Sequence, residues 1–88
     1  MGDDMKTVYA YICLTYPRNS CTLRCVSTDL KKVEDVANMD ARQLEREGAV
    51  LEYVTDDAPL SMNGKETSYH YKGAYYNTVL KIVKTNLA

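Results

Sequence analysis

The chain has 88 residues and a net charge of −1 at pH 7, with 45% hydrophobic and 26% charged residues. These values are ordinary for one small globular domain, and they exclude a multidomain enzyme, a collagen-like repeat and a long disordered chain. No stretch approaches the roughly 20 apolar residues of a membrane-spanning helix, so we expect no membrane partner. The acidic first residues lack the basic region of a signal peptide, and the cysteine count of three is odd. We therefore expect a cytoplasmic protein with reduced thiols.

The domain is predicted to open with a β-hairpin. We take residues 1–5 as a disordered N-terminus or as residues added during cloning, and residues 6–88 as a single α+β domain. Residues 7–16 and 21–27 are rich in β-branched and aromatic types, and the turn-forming sequence Pro-Arg-Asn-Ser separates them. A four-residue loop would oppose Tyr16 with Cys21 and would place the apolar even positions of the first strand on the face that helices cover. The opposite face, predicted to be open, carries Tyr9, Tyr11, Cys13, Thr15, Thr22 and Arg24.

A helix is predicted after the hairpin. Asp29 is a suitable N-cap residue, apolar residues from Leu30 to Leu44 follow helical spacing, and Gly48 is placed to end the helix. Two further strands are predicted at residues 49–54 and 66–72, with a tight turn at Asn63-Gly64 between them.

The last segment allows two structures. Tyr76, Val79, Leu80, Val83 and Leu87 form a helical stripe, although the β-branched composition also suits a strand. We favour a helix from about residue 74 to 85, with a strand as the alternative. The predicted fold is therefore an α+β domain with a four-stranded antiparallel sheet and two helices on one face, in the order β-β-α-β-β-α.

The residue types that carry catalysis or bind metals occur here without the spacing that such chemistry needs. Cys21, Cys25 and His70 fail the two-residue knuckle that structural zinc sites use, and Asp56-Asp57 before a proline is typical of a turn. The glycines form no phosphate-binding loop. We therefore predict no metal, no cofactor and no enzymatic activity.

Tyrosine is the unusual feature of the composition. The chain has eight tyrosines, no phenylalanine and no tryptophan, and four of the tyrosines lie within residues 69–76. The segment 67–88 also carries three lysines and no acidic residue, whereas residues 49–66 are acidic. Exposed tyrosines are common anchors of protein interfaces. The predicted binding surface comprises Tyr69, His70, Tyr71, Lys72, Tyr75, Tyr76, Lys81 and Lys84, together with Tyr9 and Tyr11.

Two functions follow from this surface. The first is a non-enzymatic protein-binding regulator or inhibitor, in keeping with short accessory proteins such as those that phages encode. Its partner would be another protein, and a homodimer through a sheet edge or the open face is a further candidate. The alternative is an RNA-binding protein that stacks bases on the tyrosines and contacts phosphates with the lysines. The acidic isoelectric point of about 5.7 favours the first function.

Overall fold

The structure, a computed structural model, describes residues 6–56, 58–60 and 62–87. Residues 1–5, which we predict to be a disordered N-terminus or to have been added during cloning, lie outside these ranges. The elements are β1 (Lys6–Tyr16), β2 (Ser20–Ser27), α1 (Leu30–Arg46), β3 (Val50–Asp56), β4 (Glu66–Lys72) and β5 (Asn77–Leu87). The strands form one antiparallel sheet in the order β2-β1-β5-β4-β3.

The α+β class is confirmed, but the prediction of four strands and two helices is wrong. The sheet has five strands, and α1 is the single helix of the described chain. The last segment forms the central strand β5, which pairs with β1 along one side and β4 along the other. β5 buries Leu80 and Ile82 beneath α1 and Val79 between its neighbours on the other face, so apolar residues stand at consecutive positions and the pattern imitates a helical stripe.

The helix α1 follows the predicted signals. The Asp29 carboxylate accepts a hydrogen bond from the Lys31 backbone N–H at 3.0 Å, which caps the first turn. Gly48 ends the helix with a φ of 92°, a left-handed conformation that glycine adopts at little cost. The helix connects the two edge strands β2 and β3, so its path crosses one face of the sheet.

The core lies between α1 and this face. Its buried side chains are Tyr11, Val33, Ala37, Leu60, Tyr71, Leu80 and Ile82. Tyr9, Cys13, Cys25 and Tyr69 pack against this cluster. The predicted assignment of faces is therefore wrong, because the odd positions of β1 face the helix and the apolar even positions face away from it. Large tyrosine rings reach the helix and fill the interlayer space, whereas the smaller even side chains do not.

The register of the first hairpin also differs from the prediction. Thr15 pairs with Ser20, so the turn spans residues 17–19, with Asn19 in the left-handed region at a φ of 54°. Tyr16 does not oppose Cys21, which pairs with Leu14 instead. A bulge then inserts Arg24 between the partners of Tyr11 and Ile12.

Candidate functional site

The six tyrosines of the predicted binding surface do not lie together. Four of them lie in or against the core, and the other two lie between β4 and β5. Tyr11 and Tyr71 are buried beneath α1, and Tyr9 and Tyr69 are half-buried against the same core. These four rings lie on the face that the helix covers. They stabilise the fold, and the two buried rings are not available to a partner.

The hydroxyl group of the buried Tyr11 is satisfied by the helix. It donates a hydrogen bond to Asp40 Oδ2 at 2.9 Å, and Arg24 Nε and Nη2 donate to the two oxygens of the same carboxylate at 2.9 and 3.1 Å. Burial raises the pKa of Tyr11, and the hydrogen bond to Asp40 raises it further, so the hydroxyl stays protonated. Burial also raises the pKa of Asp40, but the hydrogen bonds from Arg24 and Tyr11 outweigh it, and the net pKa of Asp40 is lowered. This network therefore has a structural role that ties β1 and the bulge in β2 to α1.

Of the other predicted site residues, Lys84 is half-buried on the helix-covered face, and the rest are exposed or lie on the helix-free face. His70, Lys72 and Lys81 share that face by strand alternation. Tyr75 and Tyr76 lie in the turn between β4 and β5, where Tyr75 is 92% exposed. The structure therefore does not bring the ten predicted residues together into one surface.

Two of the three lysines of the basic C-terminal segment already contact acceptors within the chain. Lys84 Nζ donates to the carbonyl oxygens of Leu60 and Met62 at 3.1 and 2.6 Å. Lys81 Nζ lies 3.9 Å from a carboxylate oxygen of Glu66. Their charges are therefore partly compensated, and the segment is less attractive to phosphate than its sequence indicates.

The helix-free face contains an aromatic groove of about 540 Å³ over β3, β4 and β5. At its centre the rings of Tyr53 and His70 stack, with centroids 4.1 Å apart and planes inclined by 14°. The His70 Nε2 atom lies 3.4 Å from the Thr55 hydroxyl oxygen. What we call the aromatic groove is also lined by Leu14, Tyr16, Glu52, Glu66, Ser68, Tyr71, Asn77, Thr78, Val79 and Lys81. The groove thus combines exposed rings with charges of both signs.

An apolar patch on the same face overlaps the groove at Leu14 and Val79. By register it comprises Val8, Ala10, Ile12 and Leu14 of β1, Cys21, Leu23 and Val26 of β2, and Val79 and Val83 of β5. Lys81 lies among them, between Val79 and Val83 and opposite Ile12. Leu23 and Val26 near the sheet edge are 61% and 54% exposed, whereas Val8 and Val79 are buried between their neighbours. α1 packs on the other side of these same three strands.

The predicted binding surface omits Tyr53, Tyr16 and the apolar patch. Tyr53 pairs with His70 through a bulge in β3, and nothing in the sequence around residue 53 indicates that bulge. The alternating pattern of β1 predicts that its aliphatic side is buried, whereas the structure turns that side away from the helix. A signal for the correct choice existed in the size of Tyr9 and Tyr11, which fill more volume than the alternating aliphatic residues.

The arrangement of polar groups matches no metal centre within the described ranges, where no group of three or more potential ligands comes together. Cys21 and Cys25 lie on opposite faces of β2 because of the Arg24 bulge, and His70 faces Tyr53 and Thr55. Asp57, one of the paired carboxylates, lies outside the described residues. All three cysteines are free.

Comparison with protein-family models, curated proteins and solved structures found no significant match. Among the described residues, no helix is both long and apolar enough to cross a membrane.

Proposed function

We propose that this chain is a non-enzymatic protein-binding regulator or inhibitor that contacts another protein through its aromatic groove. The observation that carries the proposal is the stacked Tyr53–His70 pair, which lies open on a sheet face that no element of the described chain covers. We also propose a cytoplasmic location, which the unpaired cysteines support.

The groove has the composition of a protein contact. Aromatic rings that are held rigid in the free protein bury a large area on binding and lose little conformational entropy. The stack restrains both rings of the pair, and Tyr53 still exposes 53% of its surface. Glu52, Glu66 and Lys81 at the margin give the surface a charge pattern that would orient a partner.

RNA binding is the second candidate, because rings on an open sheet beside Lys72 also suit base stacking. The charges of the groove disfavour RNA binding. Glu66 lies near Lys81, and Glu52 adds a second carboxylate that would repel phosphate. Lys84 is engaged by two carbonyl oxygens away from the stack.

Affinity capture from the native cell extract, with and without nuclease, tests the proposal. Three baits are compared: the wild-type chain, the Tyr53→Ala variant, and a Met39→Ala control that removes an even more exposed side chain from α1. We expect a defined protein that survives nuclease treatment, is lost with Tyr53→Ala and is retained with Met39→Ala.

Two other results would decide against the groove as a protein site. Capture that disappears with nuclease would favour RNA as the ligand. A captured protein that Tyr53→Ala retains as well as the wild type does would place the contact elsewhere on the molecule. Circular dichroism of each bait checks that the fold is intact.

A further inference from the structure

We propose that the free edge of β3 binds an extended, basic segment of another protein, which adds to the sheet as a further strand. β3 lies at the end of the sheet, pairs with β4 along one side, and exposes every one of its residues. This inference rests on the proposed function, because it states what kind of segment the partner brings to the aromatic groove.

The backbone of β3 determines the conformation of its ligand. One side of the strand is hydrogen-bonded to β4, and no other backbone hydrogen bond among the described residues involves residues 50–56. In an antiparallel pair, alternate N–H and C=O groups of the edge strand point away from the neighbour, where a further extended strand can pair with them. The ligand is therefore an extended segment, which gains affinity from main-chain hydrogen bonds.

The charge of β3 favours a basic ligand. The strand carries Glu52 and Asp56 and no basic residue. Glu52 lines the groove on the helix-free face, whereas Asp56 lies with Glu34 of α1 around a pocket on the helix-covered face. Lys72 of β4 pairs with Val50, at the opposite end of the strand from Asp56. A segment with Lys or Arg on both of its faces therefore complements the edge.

The same charges disfavour a second copy of the chain as the occupant. Two β3 strands paired with each other would bring Glu52 and Asp56 of one copy alongside the acidic residues of the other, and like charges across a strand pair are destabilising. A bulge at Glu52 also bends the edge, and charged residues and bulges are features by which edge strands avoid pairing with their own copies. Pairing of β3 with the β2 edge of another copy is head-to-tail, which leads to rings or open filaments rather than to a dimer.

The two faces of β3 offer different contacts to an added strand. On the helix-free face, every second side chain of the ligand would lie beside Glu52 and beside Tyr53, whose ring stacks on His70. A Lys or Arg there can contact both a carboxylate and an aromatic ring. On the other face, Leu51 and Val54 are 41% and 44% exposed and favour apolar side chains between the basic ones.

Titration of the isotope-labelled chain with a synthetic peptide, followed by NMR, tests this inference. The probe is acetyl-Lys-Val-Lys-Val-Thr-Lys-Val-amide, whose lysines fall on both faces of an extended strand. We expect saturable binding with a dissociation constant below about 1 mM. The amide shifts should be concentrated in residues 50–56 and absent around Met39 on α1. The same peptide with Glu in place of Lys should bind at least ~10-fold more weakly.

Two methylated forms of the basic peptide test the backbone pairing. One form carries N-methyl groups on its odd residues and the other on its even residues, so each form lacks the N–H groups along one edge of the extended peptide. Because strand addition uses one edge of the ligand, one form should lose binding and the other should keep most of it.

Variants of the chain test the charges. Glu52→Gln combined with Asp56→Asn should weaken binding of the basic peptide at least ~3-fold, because it removes both acidic groups of the edge strand. Asp35→Asn removes an exposed carboxylate from α1 and should leave the affinity unchanged.

Three results would overturn the inference: no saturable binding of the basic peptide, equal binding of the basic and acidic peptides, or equal binding of the two methylated forms. Concentration-dependent shifts in β3 of the peptide-free chain would identify a second copy as the occupant and would overturn it as well. Failure of the proposed function has a different signature, namely a captured protein that Tyr53→Ala retains. A groove that binds its partner without strand addition would still lose that protein with Tyr53→Ala, although the basic peptide would not bind β3.

Discussion

The Tyr11 hydroxyl donates a hydrogen bond to Asp40 Oδ2 across 2.9 Å. It thereby joins β1, which lies beside the central strand β5, to the helix α1. Asp40→Ala removes the acceptor of this hydroxyl and the partner of Arg24 together. A buried hydroxyl without a partner costs about 1–3 kcal/mol. We expect the free energy of unfolding to fall by about that amount in urea titrations. Arg24→Ala, which leaves the Tyr11 hydrogen bond in place, should cost less.

Acid should destabilise the fold partly through Asp40. The ordinary pKa of this carboxyl is 3.8, and its pKa in the folded chain is lower. The unfolded chain therefore binds the proton more readily, so the stabilisation is fully present above the ordinary pKa and is lost as the pH falls through the lowered one. Asp40→Asn should flatten the dependence of stability on pH below about 4, measured by thermal unfolding. An unchanged acid slope in this variant would contradict the role given to Asp40.

Tyr71 and Tyr75 lie only four residues apart and should respond to mutation in opposite ways. Tyr71 is 5% exposed in the core, and Tyr71→Ala should cost about 3–5 kcal/mol, which is a large part of the stability of so small a domain. Tyr75→Ala should change stability by less than about 0.5 kcal/mol, because its ring lies in solvent. Thermal or urea unfolding distinguishes the two. Equal losses in both variants would contradict the burial of Tyr71.

The three thiols should react with alkylating reagents at different rates. Cys21 is exposed on the edge strand, whereas Cys13 is half-buried beneath α1. Burial raises the pKa of Cys13, and the nearby Asp40 carboxylate raises it further, so less of it is thiolate at neutral pH. Mass spectrometry of the folded chain, treated with iodoacetamide for increasing times, should find Cys21 modified before Cys13. The reverse order would mean that the faces of β1 and β2 are assigned wrongly.

Local signals in the sequence predict the helix and β4 well. The Asp29 cap, the apolar spacing from Leu30 and the position of Gly48 are all within one element, and the structure confirms each of them. The strand predicted at residues 66–72 has those same bounds in β4. Such features depend on residues that are close together in the chain, so a single sequence is enough to recognise them.

Features that depend on distant residues were not predicted. β5 is a strand because it lies between β1 and β4, and an isolated apolar segment carries no sign of those neighbours. The size of the Tyr9 and Tyr11 rings favours their burial, but the buried Tyr11 hydroxyl also needs an acceptor, and Asp40 supplies it from 29 residues away. Without that acceptor, the aliphatic positions are the reasonable choice for the core.

The candidate site was predicted only in part, for the same reason. His70, one of the predicted site residues, lines the aromatic groove, but its stacking partner Tyr53 comes from the neighbouring strand through a bulge. Burial of Tyr11 and Tyr71 removes them from any contact surface. The high tyrosine content of the chain therefore reflects in part its core, because the chain has no phenylalanine or tryptophan to fill it.

Hydrogen exchange of the chain, free and bound to the protein that it captures, tests most directly whether the helix-free face is the contact surface. β3 is an exposed edge strand at the groove, so its amides should exchange readily in the free chain. We expect binding to slow exchange in β3 around Tyr53 and to leave the exposed side of α1 around Met39 unchanged. Protection confined to α1, with β3 unchanged, would contradict this expectation.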